Sequence, residues 1–278
     1  MAHTTIAPQA SALPEPLARA SSNSFLRDLL AVFTREVLTV LRDPFTLIFS
    51  LLQPLVFLGL FAPLLTGAVG NFGGIAGSTA QTLQWFVPGV IVMIALFGTM
   101  MSGSNLLYEM MTGSYERVLA TPLSRSAILT GRSLKEFAPL VAQGLLIVLL
   151  CLPFGFTLYP LHLVAGLVVL GVFGVGVGAF SISLALASKN REWLFWGVQQ
   201  ALIFPLLILS GMMLPLEAGP GWMQVAAKFN PLTYIVDAER ALLGGSFTDP
   251  AVLWGVITAV LTCAAGLMVG IRATRRIV

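Results

Sequence analysis

The chain has 278 residues, of which 57% are hydrophobic and 10% charged, and its formal net charge is +3 at pH 7. Soluble domains carry about 25% charged residues, so this composition excludes an ordinary soluble domain. Residues 44–108 and 137–188 carry no charged side chain. Such runs accommodate helices of about 20 apolar residues and lack the alternation of a transmembrane barrel. The chain is predicted to be an all-α polytopic membrane protein.

The N-terminal part of the chain precedes the apolar runs. Residues 1–23 are rich in Ala, Pro and Ser and predict a disordered cytoplasmic tail. Residues 24–43 predict an amphipathic helix with an apolar face and a basic face that carries Arg27, Arg35 and Arg42. A basic face opposite an apolar one is typical of a helix that lies in the membrane interface. A soluble helix that binds a partner is the alternative.

Residues 44–278 predict one transmembrane domain with six spanning helices. The predicted spans are about 45–65, 83–108, 136–156, 161–187, 193–214 and 250–271. The fourth span is rich in glycine, and Gly174 and Gly178 form a small-xxx-small step that permits close approach of another helix.

The basic residues outside the predicted spans are distributed unequally. Thirteen Lys and Arg residues fall on the side of the N-terminus, and two, Lys228 and Arg240, fall on the other. Cytoplasmic loops carry the excess of Lys and Arg in membrane proteins. This asymmetry predicts a multi-pass protein of the inner (cytoplasmic) cell membrane, with both termini in the cytoplasm.

One polar segment, 105–137, separates the second and third predicted spans on the cytoplasmic side. Ser114 can cap a short helix that begins with Tyr115, and Thr121-Pro122 would end it. A short helix with charged and apolar side chains predicts a docking element for a partner. An ordinary polar loop is the alternative.

A second polar segment, 217–249, lies on the outer side between the fifth and sixth predicted spans. Its pattern predicts two short amphipathic helices with a break at Asn230-Pro231, the second helix ending at Gly244-Gly245. Asp237 and Arg240 are spaced to pair on that helix. The two helices would form a re-entrant pair or a surface cap, and an interfacial lid without a substrate role is the alternative.

Motifs for catalysis and for ATP binding are missing from the sequence. It contains no GxxxxGK[ST] motif, no partnered catalytic nucleophile and no His or Cys spacing that is typical of a metal site. The predicted spanning cores also lack ionisable side chains. The chain is therefore predicted not to be an enzyme and to have no catalytic, cofactor or metal residues, so energy for transport would come from another subunit.

Two motifs carry a resemblance to a known family. The segment "GSYERVLATPLSRSAILTGRSL" resembles the cytoplasmic segment after the second span in the membrane subunits of type-2 ATP-binding-cassette (ABC-2) exporters. The segment "NPLTYIVDAERALLGG" resembles the one before their last span. The family includes drug-resistance and polysaccharide-export permeases. The matching residues are Gly113, Glu116, Leu119, Thr121, Pro122, Leu123, Asn230, Pro231, Tyr234, Arg240 and Gly244.

The resemblance implies six spans, an interface helix, two re-entrant helices before the last span, and a permease homodimer with two separate ATPase subunits. ATP and Mg would bind to those subunits, membrane lipids would surround the permease, and no nucleic-acid partner is expected. The ATPase-coupling residues would be Gly113, Tyr115, Glu116, Arg117, Leu119, Thr121, Pro122 and Leu123. Arg35 and Arg42 of the interface helix would also contact the ATPase. The outer segment would include Asn230, Pro231, Tyr234, Asp237 and Arg240.

The resemblance also implies a translocation path between two permease copies. Its candidate lining residues are Gln53, Asn105, Gln199 and Gln200, although Gln199 and Gln200 could instead join helices by hydrogen bonds. The expected function is export of a hydrophobic drug or lipid-like molecule. Export of a lipid-linked polysaccharide and a non-transporting membrane scaffold are the alternatives.

Overall fold

The computed structural model describes residues 27, 29–30, 32–34, 38, 44–68, 79–119, 125–189, 191–213, 215–216 and 219–275. The predicted tail and five predicted site residues lie outside these described residues. Those five residues are Arg35, Arg42, Thr121, Pro122 and Leu123. The described residues form helices and turns, with no strand among them.

Ten helices are labelled here in chain order. They are α1 (Pro44–Ala68), α2 (Thr79–Met111), α3 (Ser114–Leu119), α4 (Arg125–Leu134), α5 (Phe137–Cys151), α6 (Pro160–Ala187), α7 (Glu192–Ile208), α8 (Gly221–Ala227), α9 (Pro231–Leu243) and α10 (Pro250–Arg275). A 3-10 turn, Leu152–Phe154, follows α5. The described residues before α1 are helical, and among them Val32 is buried and contacts α4 where Gly131 has no side chain.

Four helical segments are long and apolar enough to cross a membrane: Thr79–Met111, Ile128–Phe154, Pro160–Ala187 and Pro250–Thr274. Two shorter apolar helices, Leu51–Leu64 and Glu192–Ile208, fall where the first and fifth spans are predicted. The chain is therefore an all-helical protein with several membrane-spanning segments. The presence of six spans stays a prediction.

Helices α2 and α6 form the centre of the fold. The middle of α2 is buried on every side, from Phe86 to Leu96, because α1, α5, α6 and α9 surround it. Such all-round apolar burial is expected of a helix inside a membrane bundle. Helix α10 packs along the opposite side of α6.

Glycines on α6 allow its neighbours to approach closely. Gly174 and Gly178 face α2 near Thr99. Gly176 faces α10, and a Cβ on it would lie 2.5 Å from the carbonyl oxygen of Thr262. The sequence therefore points to the right helix for close packing, and the structure shows that the tightest approach to α10 uses Gly176.

The end of the bundle that carries α3 differs in detail from its prediction. Helix α2 has 33 residues, which at 1.5 Å per residue gives a length of about 50 Å. This exceeds the hydrocarbon thickness of about 30 Å, so α2 extends beyond the bilayer. Its end is marked by Gly113 with φ +71°, and Ser114 is the first residue of α3 rather than its cap.

Candidate coupling helix and translocation cavity

Helix α3 is held on the bundle by Tyr115. The ring of Tyr115 is 7% exposed and belongs to an apolar cluster from α2, α4, α6 and α7. The other members of the buried cluster are Leu106, Leu107, Leu129, Ile182, Ala185, Leu186 and Phe195. Glu116 and Arg117 follow on the exposed side of α3. Leu119 ends the helix. One apolar side chain therefore anchors α3 while its two charges face outward.

A partly buried ion pair lies beside this anchor. Arg132 of α4 donates a hydrogen bond to the carboxylate of Glu109 near the end of α2, and its guanidinium lies 5.8 Å from the Tyr115 ring centroid. The side chain of Arg132 is 9% exposed, and that of Glu109 is 28% exposed. A buried pair of this kind fixes geometry more than it stabilises, because desolvation offsets the attraction. It joins α2, α3 and α4 into one unit.

Only part of the predicted N-terminal interface helix lies within the described residues. Arg27 is helical and exposed. Its predicted partners on the basic face, Arg35 and Arg42, lie outside the described residues, so the contact of that face with a partner stays a prediction.

Helix α9 is bound to the end of α7 by side-chain hydrogen bonds. The last carbonyls of a helix have no partner within it. Asn230 Nδ2 donates to the Leu206 carbonyl oxygen at 2.8 Å, and Thr233 Oγ1 donates to the Leu209 carbonyl oxygen at 2.9 Å. Asn230 also caps α9, since its Oδ1 accepts from the Leu232 amide at 3.0 Å. The Asn-Pro motif thus starts one helix and satisfies the end of another.

Arg240 joins the same helix to α2. Its guanidinium lies 3.9 Å from the Trp85 ring centroid and donates to the Gly211 carbonyl oxygen at 2.8 Å. Its distance to the carboxylate of Asp237 is 3.7 Å, so the spaced pair on α9 is present but long. Trp85 carries no signal in the sequence as a partner of Arg240, because the two residues are distant along the chain.

The remaining predicted residues of the outer segment have local roles. Pro231 is the first residue of α9, where a missing amide hydrogen costs nothing. The hydroxyl of Tyr234 donates to the Lys228 carbonyl oxygen at 2.8 Å. The preceding helix α8 leaves Trp222 and Val225 largely exposed, so its apolar face does not pack on the described bundle.

Glu239 is a buried carboxyl group that the sequence-based candidates do not include. It lies in α9, outside the spanning helices, and is 1% exposed. Its Oε2 occupies the space beside Gly166 of α6, and its Oε1 has no hydrogen-bond partner among the described residues. Burial raises the pKa of Glu239 to about 8. Its spacing from Leu232 and Ile235 on the apolar face of α9 is the signal that could have identified it.

Three of the four predicted path residues lie in one cavity. Gln53 of α1 and Gln199 and Gln200 of α7 line a space of about 500 Å³ between α1, α2 and α7. Its other lining residues are apolar and rich in Met and aromatic side chains: Phe57, Met93, Phe97, Met101, Trp196, Ile203, Phe204, Leu207, Ile208, Met212 and Met213. Asn105 is exposed on α2 one turn beyond Met101 and is not among the lining residues.

The side chains that line this cavity are suited to ligand binding. Its polar groups are amides, which can donate and accept hydrogen bonds but do not titrate. Among the described residues, no group of three or more His, Cys, Asp or Glu could hold a metal ion. Met side chains adapt to ligands of different shape, so this lining suits apolar and aromatic molecules.

A helical membrane bundle with a helix that exposes two charges at one end, and with an apolar cavity, has the features of a multi-pass membrane transport protein. Residues 27–243 match the ABC-2 type transporter family, and the chain belongs to that family. It therefore resembles the membrane subunits of ATP-binding-cassette transporters in sequence over most of its length.

Individual relatives agree with this assignment. The chain is 31% identical over 236 residues to the daunorubicin resistance ABC transporter permease protein DrrB1 of Streptomyces coeruleorubidus, covering 84% of this chain and 79% of DrrB1. It is 32% identical over 224 residues to ycf38 of Cyanophora paradoxa, described as a transport permease, covering 80% and 76%. It is 23% identical over 263 residues to DrrC of Mycobacterium tuberculosis, described as a doxorubicin resistance ABC transporter permease, covering 92% of both.

Proposed function

We propose that this chain is the permease subunit of an ATP-driven exporter that moves a hydrophobic, drug-like or lipid-like molecule out of the cytoplasm or the inner leaflet. The observation that carries the proposal is the cavity of about 500 Å³, in which Met and aromatic side chains surround three glutamines. Pockets of this size and lining bury most of a drug-sized molecule. The relatives whose names refer to daunorubicin and doxorubicin resistance support the same substrate class.

The energy for export would come from two separate ATPase subunits that bind ATP and Mg. The exposed charges of α3, Glu116 and Arg117, would dock on the ATPase, and the buried Tyr115 would carry the movement to α2, α4 and α6. The buried Tyr115 ring and the Glu109–Arg132 pair connect α3 to its neighbours, so a movement of α3 would be passed on to them. Two permease copies, with both termini in the cytoplasm, would enclose the path.

The test is co-purification followed by transport. The full chain is expressed in membranes with an ABC ATPase from the same genome, and bound subunit, ATP hydrolysis and daunorubicin efflux are measured. A two-plus-two complex with ATP-dependent efflux is expected. A permease that purifies without an ATPase under gentle detergent, and confers no efflux, would contradict the proposal and favour the scaffold alternative.

A paired variant tests the docking assignment. Glu116→Ala with Arg117→Ala should leave the protein in the membrane, because both side chains are exposed, while it lowers ATP-dependent efflux at least about tenfold. The matched control is Lys228→Ala with Asp249→Ala, two exposed charges on the outer side. Normal efflux in the α3 variant would show that the ATPase docks elsewhere.

A further inference from the structure

A second cavity lies on the other side of α7 from the cavity already described. It has a volume of about 360 Å³ and is enclosed by residues of α2, α6, α7, α9 and α10. Its walls are almost entirely apolar, as represented by Leu96, Phe173, Phe180, Leu184, Leu202 and Leu206. We refer to it as the α6–α7 groove.

Helix α7 separates the two cavities. The cavity of about 500 Å³ between α1, α2 and α7 is called the translocation cavity here. Leu202 and Leu206 line only the groove, and Gln200 and Ile203 line only the translocation cavity. Gln199 lines both. A ligand in the groove would therefore be one side chain away from the predicted path.

The amide of Gln199 is only half satisfied. Its Nε2 donates to the Met100 carbonyl oxygen at 3.1 Å, and that carbonyl also accepts from the Ser181 hydroxyl. Its Oε1 is buried and has no hydrogen-bond partner among the residues that the structure describes. A buried acceptor without a donor is unfavourable, so a donor that reaches it is bound with extra affinity.

The rim of the groove indicates where its occupant comes from. Phe180 and Leu202, on facing helices, are 39% and 53% exposed. In a chain that spans the membrane, large apolar side chains exposed at this depth face lipid tails rather than water. The groove is thus accessible to a molecule dissolved in the bilayer.

We propose that the α6–α7 groove binds a lipophilic molecule that enters from the bilayer and donates one hydrogen bond to Oε1 of Gln199. The proposal deepens the proposed function and rests on it, since the occupant would be the transport substrate before it reaches the translocation cavity. Oε1 is covered by protein, so the ligand reaches it after a small rotation of the Gln199 side chain, which already lines the groove. A hydroxyl or amine satisfies this acceptor, and a bare hydrocarbon chain does not.

The test compares two probes that differ by one donor, 1-pyrenebutanol and 1-butylpyrene. Their binding to the full chain in lipid nanodiscs is measured by pyrene fluorescence anisotropy without ATP, after subtraction of empty nanodiscs. The wild type should bind the alcohol about tenfold more tightly than the hydrocarbon. Gln199→Leu should abolish this preference, and Gln200→Leu, the neighbouring amide that lines only the translocation cavity, should keep it.

A second variant fills the groove without touching the amide. Leu202→Trp should lower binding of the alcohol at least about tenfold, because the larger ring occupies the volume that the ligand needs. Equal affinities of the two probes for the wild type, or a preference that survives Gln199→Leu, would overturn the proposal. Binding of 1-pyrenebutanol that is unaffected by Leu202→Trp would also overturn the proposal. Failure of the export function would instead appear as a lack of ATP-dependent efflux with the probe preference intact.

Discussion

At the scale of single residues, Glu239 is a carboxyl group that is only 1% exposed. Its carboxyl group is buried between α9 and α6 in the space left by Gly166. The ordinary charges near it in sequence, Asp237 and Arg240, pair with each other on another side of α9. Burial favours the neutral acid, so Glu239 holds a proton in the folded protein at neutral pH.

This burial gives the folded protein a specific pH dependence. The pKa of Glu239 rises from 4.5 to about 8 on folding, so between these pH values the folded state binds a proton that the unfolded state lacks. Stability therefore falls as pH rises through this window. Glu239→Gln should remove the dependence and raise the midpoint of thermal unfolding, with the largest gain near pH 8.

The measurement is thermal unfolding of the purified protein between pH 5 and 9, with Glu116→Gln as the control because Glu116 is exposed on α3. A gain for Glu239→Gln that is the same at pH 5 and pH 8 would contradict the protonation of Glu239.

Hydrogen bonds of single side chains also decide how α9 is held on the bundle. Arg240 donates to the Gly211 carbonyl oxygen in the turn after α7. Asn230 and Thr233 donate to the carbonyl oxygens of Leu206 and Leu209 at the end of α7. These carbonyls lie at the end of a 17-residue helix whose length of about 26 Å falls short of the hydrocarbon thickness. Free carbonyls near lipid are costly, so α9 is a required partner of α7.

At the scale of whole helices, the crossing of α6 and α10 depends on glycine. Gly176 lies against the α10 backbone at Thr262, and Gly266 of α10 lies against Gly176. Gly176→Ala should therefore destabilise the fold by about 1–3 kcal/mol, because a methyl group would push the two backbones apart.

Gly197→Ala is the matched control, because a Cβ there meets nothing within 4 Å and alanine favours the helical state of α7. Retention of folded protein in detergent on heating is compared for both variants. An unchanged midpoint for Gly176→Ala would show that α6 and α10 separate at no cost.

At the scale of the whole molecule, the charge distribution and the structure predict which end faces the cytoplasm. Helix α3 and the Glu109–Arg132 pair lie at one end, and α8 with α9 lies in the segment predicted to be outside. Thr112→Cys and Gln224→Cys, both at exposed positions, report the two ends. Cys151 and Cys263 are first replaced by Ala.

A maleimide that cannot cross membranes is expected to label Gln224→Cys on intact cells and Thr112→Cys only after permeabilisation. Labelling of Thr112→Cys on intact cells would invert the orientation and place α3 beyond reach of a cytoplasmic ATPase.

Several features of this protein follow from the sequence alone. Long apolar runs without charge require helices that span a membrane, because only internal hydrogen bonds satisfy a backbone in lipid. Asn230-Pro231 marks the start of a helix in the sequence, since Asn is a preferred N-cap and Pro is favoured at the first helical position. The family membership also follows from the sequence, since residues 27–243 match the ABC-2 type transporter family.

The tertiary structure alone decided which residues of different helices come into contact. It brought Gln53 of α1 to Gln199 and Gln200 of α7, and it left Asn105 outside their cavity. It placed Trp85 on Arg240 and Glu239 against Gly166. Hydrophobic periodicity states which face of a helix is buried, but not which helix covers it. Contacts between distant segments depend on packing, and packing depends on all the helices at once.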